Sequence, residues 1–453
     1  MENLIKKALG LGTVDYLEIR LEERAVTSVN YVGRELENVG VNNFFGGNVR
    51  ALHKGGWGFS SFNSLEQLDQ KVAQACQAAR QVGKSRSQLA KVKPVRDHVR
   101  VSLPDDPRKI SLAQKKELTE RYNGLIMDSP GIISSNTRYE DVFKKQTYAN
   151  SEGSYITQER IYCGAAFAAV AKEGANVQRA HASVGDTRGY NTALGQEPKA
   201  EQAVRDALGL VKAEKVSSGK YTVVIDPIMC GVFAHEAFGH LSEADEIYQN
   251  KELQKLMKLE TRFGNDDLTI LDDATLVGER GFYAYDEEGV PSGKNYLVKD
   301  GLLVGRLHSR ETAGIMGEKP TGSSRAISYQ FKPIIRMGCT YIEPRGYEFE
   351  RMIGEIENGL YVVSALGGMT ETEMFTFSAM KAYRIIKGRI GPMVRDVILT
   401  GNVFTTLKNI DAIGNDLQLH GGLGGCGKGG QMPLPVSDGG PHIRIKDVVI
   451  GGK

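Results

Sequence analysis

Leu17, Ile19 and Leu21 alternate with Glu18, Arg20 and Glu22. A period of two predicts a strand with one apolar and one charged face. "ALHKGGWGFSSF" (51–62) continues the theme as two strands about a Lys54-Gly55-Gly56 turn. The period then changes. In "NSLEQLDQKVAQACQAARQV", Leu65, Leu68, Val72, Ala75 and Ala79 recur at spacings of three and four, which predicts an amphipathic helix. Ser64 and Gln67 offer it a capping box, and Cys76 sits beside the apolar stripe as a core thiol. A second helix follows Ser111, with Leu118, Tyr122 and Leu125 on one face. "KKQTYANSEGSYITQE" reads as a hairpin turning near Ser151-Glu152-Gly153. "EPKAEQAVRDALGLVKAEKV" is again helical.

Beyond "VSSGK" the pattern shifts. "YTVVIDP" is a buried strand ended by Pro227, and "GVFAHEAFGHLSEADE" is a helix. From about residue 268 strands dominate: "NYLVKDGLLVGRL" about a Lys299-Asp300-Gly301 turn, "GLYVVSALGG", "MFTFSAMKAYRIIKGRIG" and "VRDVILTGNVF". No solenoid repeat is present. Polar, proline-bearing residues 83–108 and the "VSSGK" stretch divide the chain into 1–108, 109–218 and 219–453. The expected fold is α+β: an N-terminal mixed α/β region, a middle α+β segment, and a β-rich C-terminal domain carrying a kinked metal-binding helix.

Composition narrows the function. Of 453 residues, 53 are glycine and 14 proline, so tight turns rather than disorder account for the glycine excess over the usual ~7%. The net charge is +2 and no basic block stands out, which argues against nucleic acid as a partner. No apolar run approaches the ~20 residues of a membrane span, and the N-terminus lacks a signal-peptide core. Five cysteines lie far apart, at 76, 163, 230, 339 and 426. That is no disulfide framework and points to a reducing cytoplasm.

The candidate chemistry lies in His235-Glu236-Ala237-Phe238-Gly239-His240. It is similar to H-E-x-x-H, in which two histidines bind zinc and the glutamate is general base. Here the second histidine is at i+5. On a regular helix i and i+4 point ~40° apart, but i and i+5 point ~140° apart. Chelation therefore requires a π-bulge that widens the turn, and Gly239 makes such a distortion cheap. Zinc usually takes three protein ligands and a water. Glu243, Asp245 and Cys230 are near in sequence; His420, Cys426 and His442 are distant. Cys426 stands out, because it lies in "LHGGLGGCGKGGQ" (419–431), where glycines surround it and no apolar pattern does. A glycine loop brings backbone close and presents one side chain without steric company. His235, His240 and Cys426 are thus the expected metal ligands and Glu236 the expected catalytic base.

The same loop nearly matches the phosphate-binding pattern G-x-x-x-x-G-K-[ST], but Gly429 replaces the Ser/Thr and "QMPLP" cannot open a helix for the phosphates. On those grounds a nucleotide-dependent enzyme using this loop ranks as a second, weaker rival expectation. Lys428 reads as a solvated lysine or one that steadies the thiolate or an oxyanion. Glu243 and Asp245 are candidate hydrogen-bond partners of the histidine rings or an exposed acidic helix end.

With His235, Glu236, His240 and Cys426 in hand, the chain resembles the TldD/PmbA family of microbial metallopeptidases, in its TldD branch. The likeness runs over nearly the whole chain, through "GNVRALHKGGWGFSSFN", "IDPIMCGVFAHEAFGHLSEAD", "TGSSRAISYQFKPIIRM", "SAMKAYRIIKGRIGPMV" and "LHGGLGGCGKGGQMPLPVSDGGP". The partner branch, PmbA or TldE, lacks the H-E-x-x-x-H motif. The resemblance implies ATP-independent cleavage of unfolded peptides or small proteins. It also implies one Zn²⁺ per chain, with another divalent cation as the alternative, and a PmbA/TldE-type partner subunit or a homodimer. The rival expectation is a non-catalytic, metal-stabilised peptide-binding or scaffold subunit.

Overall fold

A computed structural model describes residues 1–371 and 373–451. After α1 (Glu2–Leu9), three strands, β1 (Tyr16–Val32), β2 (Glu35–His53) and β3 (Gly56–Phe62), form an antiparallel meander. Lys54 (φ 45°) and Gly55 (φ 74°) make its second turn. Then follow α2 (Leu68–Val82), β4 (Arg96–Val99), α3 (Leu112–Met127), β5 (Ile132–Asn150), β6 (Tyr155–Glu173), β7 (Asn176–Asp186) and α4 (Glu197–Lys212). All seven strands join one sheet, in the order β3-β2-β1-β5-β6-β4 with β7 also on β6. The helices cover one face. Leu17, Ile19 and Leu21 pack with α2 residues Leu68, Val72 and Ala75. Val29, Tyr139 and Phe167 pack with α3 and α4.

Two details of the helices differ from expectation. Ser64 accepts only from Glu66 N, because a 3₁₀ turn over Leu65–Gln67 precedes α2, so no capping box closes there. In α3, Leu125 is 38% exposed, and Ile126 is buried in its place. One residue of drift against the 3.6 period accounts for it.

The larger departure concerns the charged face of β1. Glu18, Arg20 and Glu22 are each only 2% exposed, because the C-terminal part of the chain covers that face. Arg20 pairs with Glu287 at 3.0 Å and donates to the carbonyls of Ser328 and Phe331. Arg50 bridges Glu18 at 2.8 Å and Glu288 at 3.3 Å. Lys144 meets Glu22 at 3.0 Å and Glu287 at 3.9 Å. Alternation thus locates the strand and its two faces, but carries no signal that the charged face is buried. Buried charges survive when each finds a counter-charge; Arg50 and Lys144 come from neighbouring strands of the same sheet, whereas Glu287 and Glu288 lie more than two hundred residues from Arg20 and Arg50.

Among the described residues the C-terminal part holds two further large sheets and two small two-stranded ones. Strand Gly219–Ile225 pairs with Asn358–Glu371 and Ile443–Gly451, and Ile398–Asn402 and Met374–Ile386 complete the circuit back to Asn358–Glu371. Five strands thus close a ring, and no edge among them is left open. Helix α5 (Pro227–Ala234) lies across it, with Phe233 edge-on to Phe375 and Phe377. The other side of α5 packs on a six-stranded sheet that includes Cys339–Ile342, Ser437–Gly440 and Gln418–His420. Among the described residues no helix is long and apolar enough to cross a membrane. Cys76, Cys163, Cys230 and Cys339 are buried free thiols.

Glu287 is the anion on which the ionic seam converges. Burial alone would raise its carboxyl, but Arg20, Lys144 and Arg160 outweigh that and hold it at about 2. Its folded value lies below the ordinary ~4.3, so its stabilisation is full above that value and disappears as pH falls toward 2. Glu287→Ala should cost ~3–5 kcal/mol at pH 7, the penalty for orphaning buried cations. Urea unfolding at pH 7 and between pH 5 and pH 2.5 checks both points: the variant should start lower and lose less on acidification.

Candidate metal centre

The site begins with a helix held from both ends. Asp226 caps α5, accepting from Met229 N at 2.8 Å and Ser364 N at 3.1 Å, and Pro227 opens the first turn. Mid-helix, α5 presses on the strand Ser437–Gly440, where a Cβ on Gly231 would lie 2.3 Å from Gly439 N. The helix then widens. Residues His235–Gly239 form a π turn, and a 3₁₀ turn over His240–Ser242 ends the segment. The widened turn realigns i with i+5, and the rings of His235 and His240 stand 5.1 Å apart at 87°. Gly239 plays a different part from the one expected. Its φ of −57° is ordinary helix, so conformational freedom is not used. Room is: a Cβ there would fall 2.0 Å from Met337 Sδ.

Cys426 arrives on a hairpin. Cys426–Lys428 pairs with Gln431–Leu434, turning through Gly429 (φ 57°) and Gly430 (φ 75°). Fully buried Arg336 holds it, donating to Cys426 O at 2.6 Å and Gln431 O at 3.2 Å. Cys426 is 5% exposed, with Sγ 3.4 Å from His240 Nε2. One donor atom from each of His235, His240 and Cys426 lies within 4.8 Å of the others.

Electrostatics follow from this crowding. Burial disfavours the Cys426 thiolate, but His235 and His240 outweigh it and draw the thiol down to about 4. Burial likewise disfavours charge on the rings, yet Cys426 lifts His235 to about 9. Glu243 and Cys426 together lift His240 to about 11. Two ring protons and one thiolate carry the same net charge as two neutral rings, one thiolate and a divalent cation. His235 Nδ1 is buried with no hydrogen-bond partner. One soft sulfur and two imidazoles, one of them with an unmet ring nitrogen, make a three-donor set suited to a tetrahedral divalent ion with one position left open.

The surroundings sort the remaining candidates. Glu243, 1% exposed, accepts from His240 Nδ1 at 2.9 Å, which leaves Nε2 facing Cys426. Lys428 is neither solvated nor on the thiolate: its Nζ lies 2.8 Å from Glu243 and 2.7 Å from Asp245. Asp245 therefore holds the lysine rather than a histidine. Glu236 lines the cavity with Oε2 3.9 Å from His240 Nε2. Its proton affinity is raised by burial, which the two histidines only partly offset. Cys230 is core, against Gly440. His442 binds Asp416 and Tyr361 away from the cluster. His420 lines the same cavity, of about 690 Å³, without joining the three donors. Asp438 also lines it and was missed, since a lone aspartate before two glycines has no pattern. Burial pushes its carboxyl up to about 6.

A mixed α/β frame whose one distorted helix brings two histidines against a buried thiolate suits a metal-dependent hydrolase. The chain belongs to the PmbA/TldD metallopeptidases: models of the family's domain 1, central domain and C-terminal domain match residues 17–79, 105–211 and 218–452. Metalloprotease slr0863 of Synechocystis is 44% identical over 97% of this chain and 95% of its own. A zinc metalloprotease TldD homolog of Saccharolobus solfataricus is 28% identical, covering both chains fully at 100%. The crystal structure of TldE from Thermococcus kodakarensis superposes with a TM-score of 0.79 at 18% identity, covering 100% of both chains. That last likeness speaks for the fold.

Because Glu243 accepts from the His240 ring, Glu243→Gln should weaken metal binding at the candidate centre ~10–100-fold without moving the three donor side chains. Gly239→Ala should push Met337 aside and open the π turn. Metal affinity by competition with a chromophoric chelator reads both; unchanged affinity in Glu243→Gln would exclude the orienting role.

Proposed function

We propose that this chain is a zinc-dependent, ATP-independent peptidase acting on unfolded peptides or small proteins, with His235, His240 and Cys426 holding one zinc ion and Glu236 as general base. The supporting observation is the meeting of the three donors and Glu236 in one cavity. Zinc is the metal named for the Saccharolobus relative, and it matches the soft donor set. When bound, it supplies Lewis acidity toward the scissile carbonyl and lowers the pKa of water.

The chain's own residues do the rest. Glu236 is beside the ligands without being one, and its raised proton affinity suits it to take a proton from water and return it to the departing amine. Glu243 keeps the His240 proton on Nδ1. Residues 424, 425 and 427 are glycines on the cavity wall; bare backbone there leaves room for an extended substrate chain and none for a folded one.

A PmbA/TldE-type subunit, or a second copy, is the partner this reading takes. Leu366, Met369 and Met432 line the same cavity, yet are 53%, 66% and 71% exposed, an apolar rim for a partner or substrate to cover. Free cysteines are in keeping with a cytoplasmic setting. The net charge of +2 offers no footprint for nucleic acid.

The decisive experiment compares zinc content with fragmentation of an unstructured peptide, read by mass spectrometry with and without chelator. Glu236→Gln should keep zinc and lose cleavage by at least ~10²-fold. His235→Ala and Cys426→Ser should lose both. Cleavage retained in Glu236→Gln would refute the base assignment. An intact peptide with the zinc-loaded wild type, alone and with a TldE-type subunit, would favour the scaffold reading instead.

A further inference from the structure

A second cavity, of about 310 Å³, lies between the charged face of the first sheet and the C-terminal part. Arg24, Lys144, Arg160, Arg280 and Arg325 line it, against the carboxylates Glu140 and Glu287. Glu287 is committed to Arg20, Lys144 and Gln146. Glu140 has Arg138 at 3.9 Å. Arg325 donates to the carbonyls of Met337 and Pro435, which satisfy its N–H groups but carry no countercharge. Arg280 is the extreme case. It is 4% exposed, and among the described residues its side chain makes no hydrogen bond or ion pair; Nε and Nη1 are buried without an acceptor. The Tyr162 ring faces its guanidinium, 5.7 Å away. Nε of Arg24 and Nε of Arg160 are unmet as well.

A guanidinium cannot shed its charge by deprotonation, so a buried, unpaired one is stable only beside an anion. Among the described residues the carboxylate that acts most on Arg280 is Glu140, which is partly exposed and makes no hydrogen bond or ion pair with it. We propose that this cavity is a binding site for a small oxyanion, a carboxylate or a phosphate group, with Arg280 as its principal ligand and Arg160 and Arg325 beside it. Guanidinium forks recognise both groups bidentately. Val26, Val142 and Ile327 also line the space, which accommodates the short apolar body of an organic acid. The site adjoins the metal hairpin. Leu434, on its wall, is the strand partner of Cys426, and a Cβ on Gly421 would lie 2.9 Å from Arg280 Cβ. Pro433, Leu434 and Pro435 of this cavity's wall thus belong to the second strand of the hairpin and the residue after it, while Gly425, Cys426 and Gly427 face the other cavity. This inference is independent of the peptidase chemistry.

Thermal unfolding of the zinc-loaded full chain tests it, titrated with phosphate or succinate and referenced to chloride at equal ionic strength. A saturable rise in Tm with phosphate alone identifies a phosphate ligand, and with succinate alone a carboxylate. The rise should persist in Cys426→Ser, whose metal site is disabled, and vanish in Arg280→Gln. In anion-free buffer Arg280→Gln should be at least as stable as wild type, which a purely structural arginine would not allow. No rise beyond chloride, or an equal rise in Arg280→Gln, overturns the proposal. Should that variant not fold, wild-type crystals soaked in selenate decide: an anomalous peak within hydrogen-bond distance of Arg280 is expected, and its absence overturns the site.

Discussion

Opening one helical turn by a residue forfeits regular i→i−4 bonding, yet without it His235 and His240 would point nearly opposite ways. The π turn over His235–Gly239 is therefore the constraint from which the rest of the site follows. It is held open by packing, not by a permissive backbone. Asp226 anchors the start of α5, Gly231 seats its middle on Gly439, and Met337 occupies the space where a Gly239 side chain would be. Each contact comes from a different part of the C-terminal sheets, so the distortion is specified by the tertiary structure as a whole.

A second constraint is the ionic seam on the first sheet. Its helices cover one face with apolar side chains, and an antiparallel sheet commonly leaves its other face to water. Here that face is buried against Glu287, Glu288 and the carbonyls of 328–331, and Arg20, Arg50 and Lys144 provide the adhesion. Such a seam is costly to disrupt on one side only. It favours one docking of the N-terminal sheet over alternatives, since charges must meet in register.

Local pattern carried a good share of this. Period-2 and period-3.6 signals located β1, α2, α3, α4 and the main hairpins, because those elements bury one face against the nearest layer. The H-E-x-x-x-H spacing carried the need for a widened turn, since helix geometry alone forbids the alternative. What stayed hidden depends on distant contacts. The burial of Glu18, Arg20 and Glu22 is set by residues near 287. The role of Gly239 is set by Met337, almost a hundred residues on. Asp438 acquires its character because the fold buries it, with Glu236 adding to the rise and His235 opposing it. Nothing periodic announces such residues.

Lys428 ties these threads together. It sits two residues past Cys426 on the hairpin, and its partners, Glu243 and Asp245, follow His240 by three and five residues. The two chain segments that carry the soft donors thus also carry opposite charges, arranged so that the ion pair and the donor cluster share one register. Glu243 is pulled below the ordinary carboxylate range: burial opposes this, but Lys428 and His240 outweigh it. It stays an acceptor for the His240 Nδ1 proton while Lys428 pins it. A slip of the hairpin by one residue would flip Cys426 to the far side and strand Lys428 in a buried pocket. The salt bridge therefore selects the same alignment that brings Cys426 to the histidines.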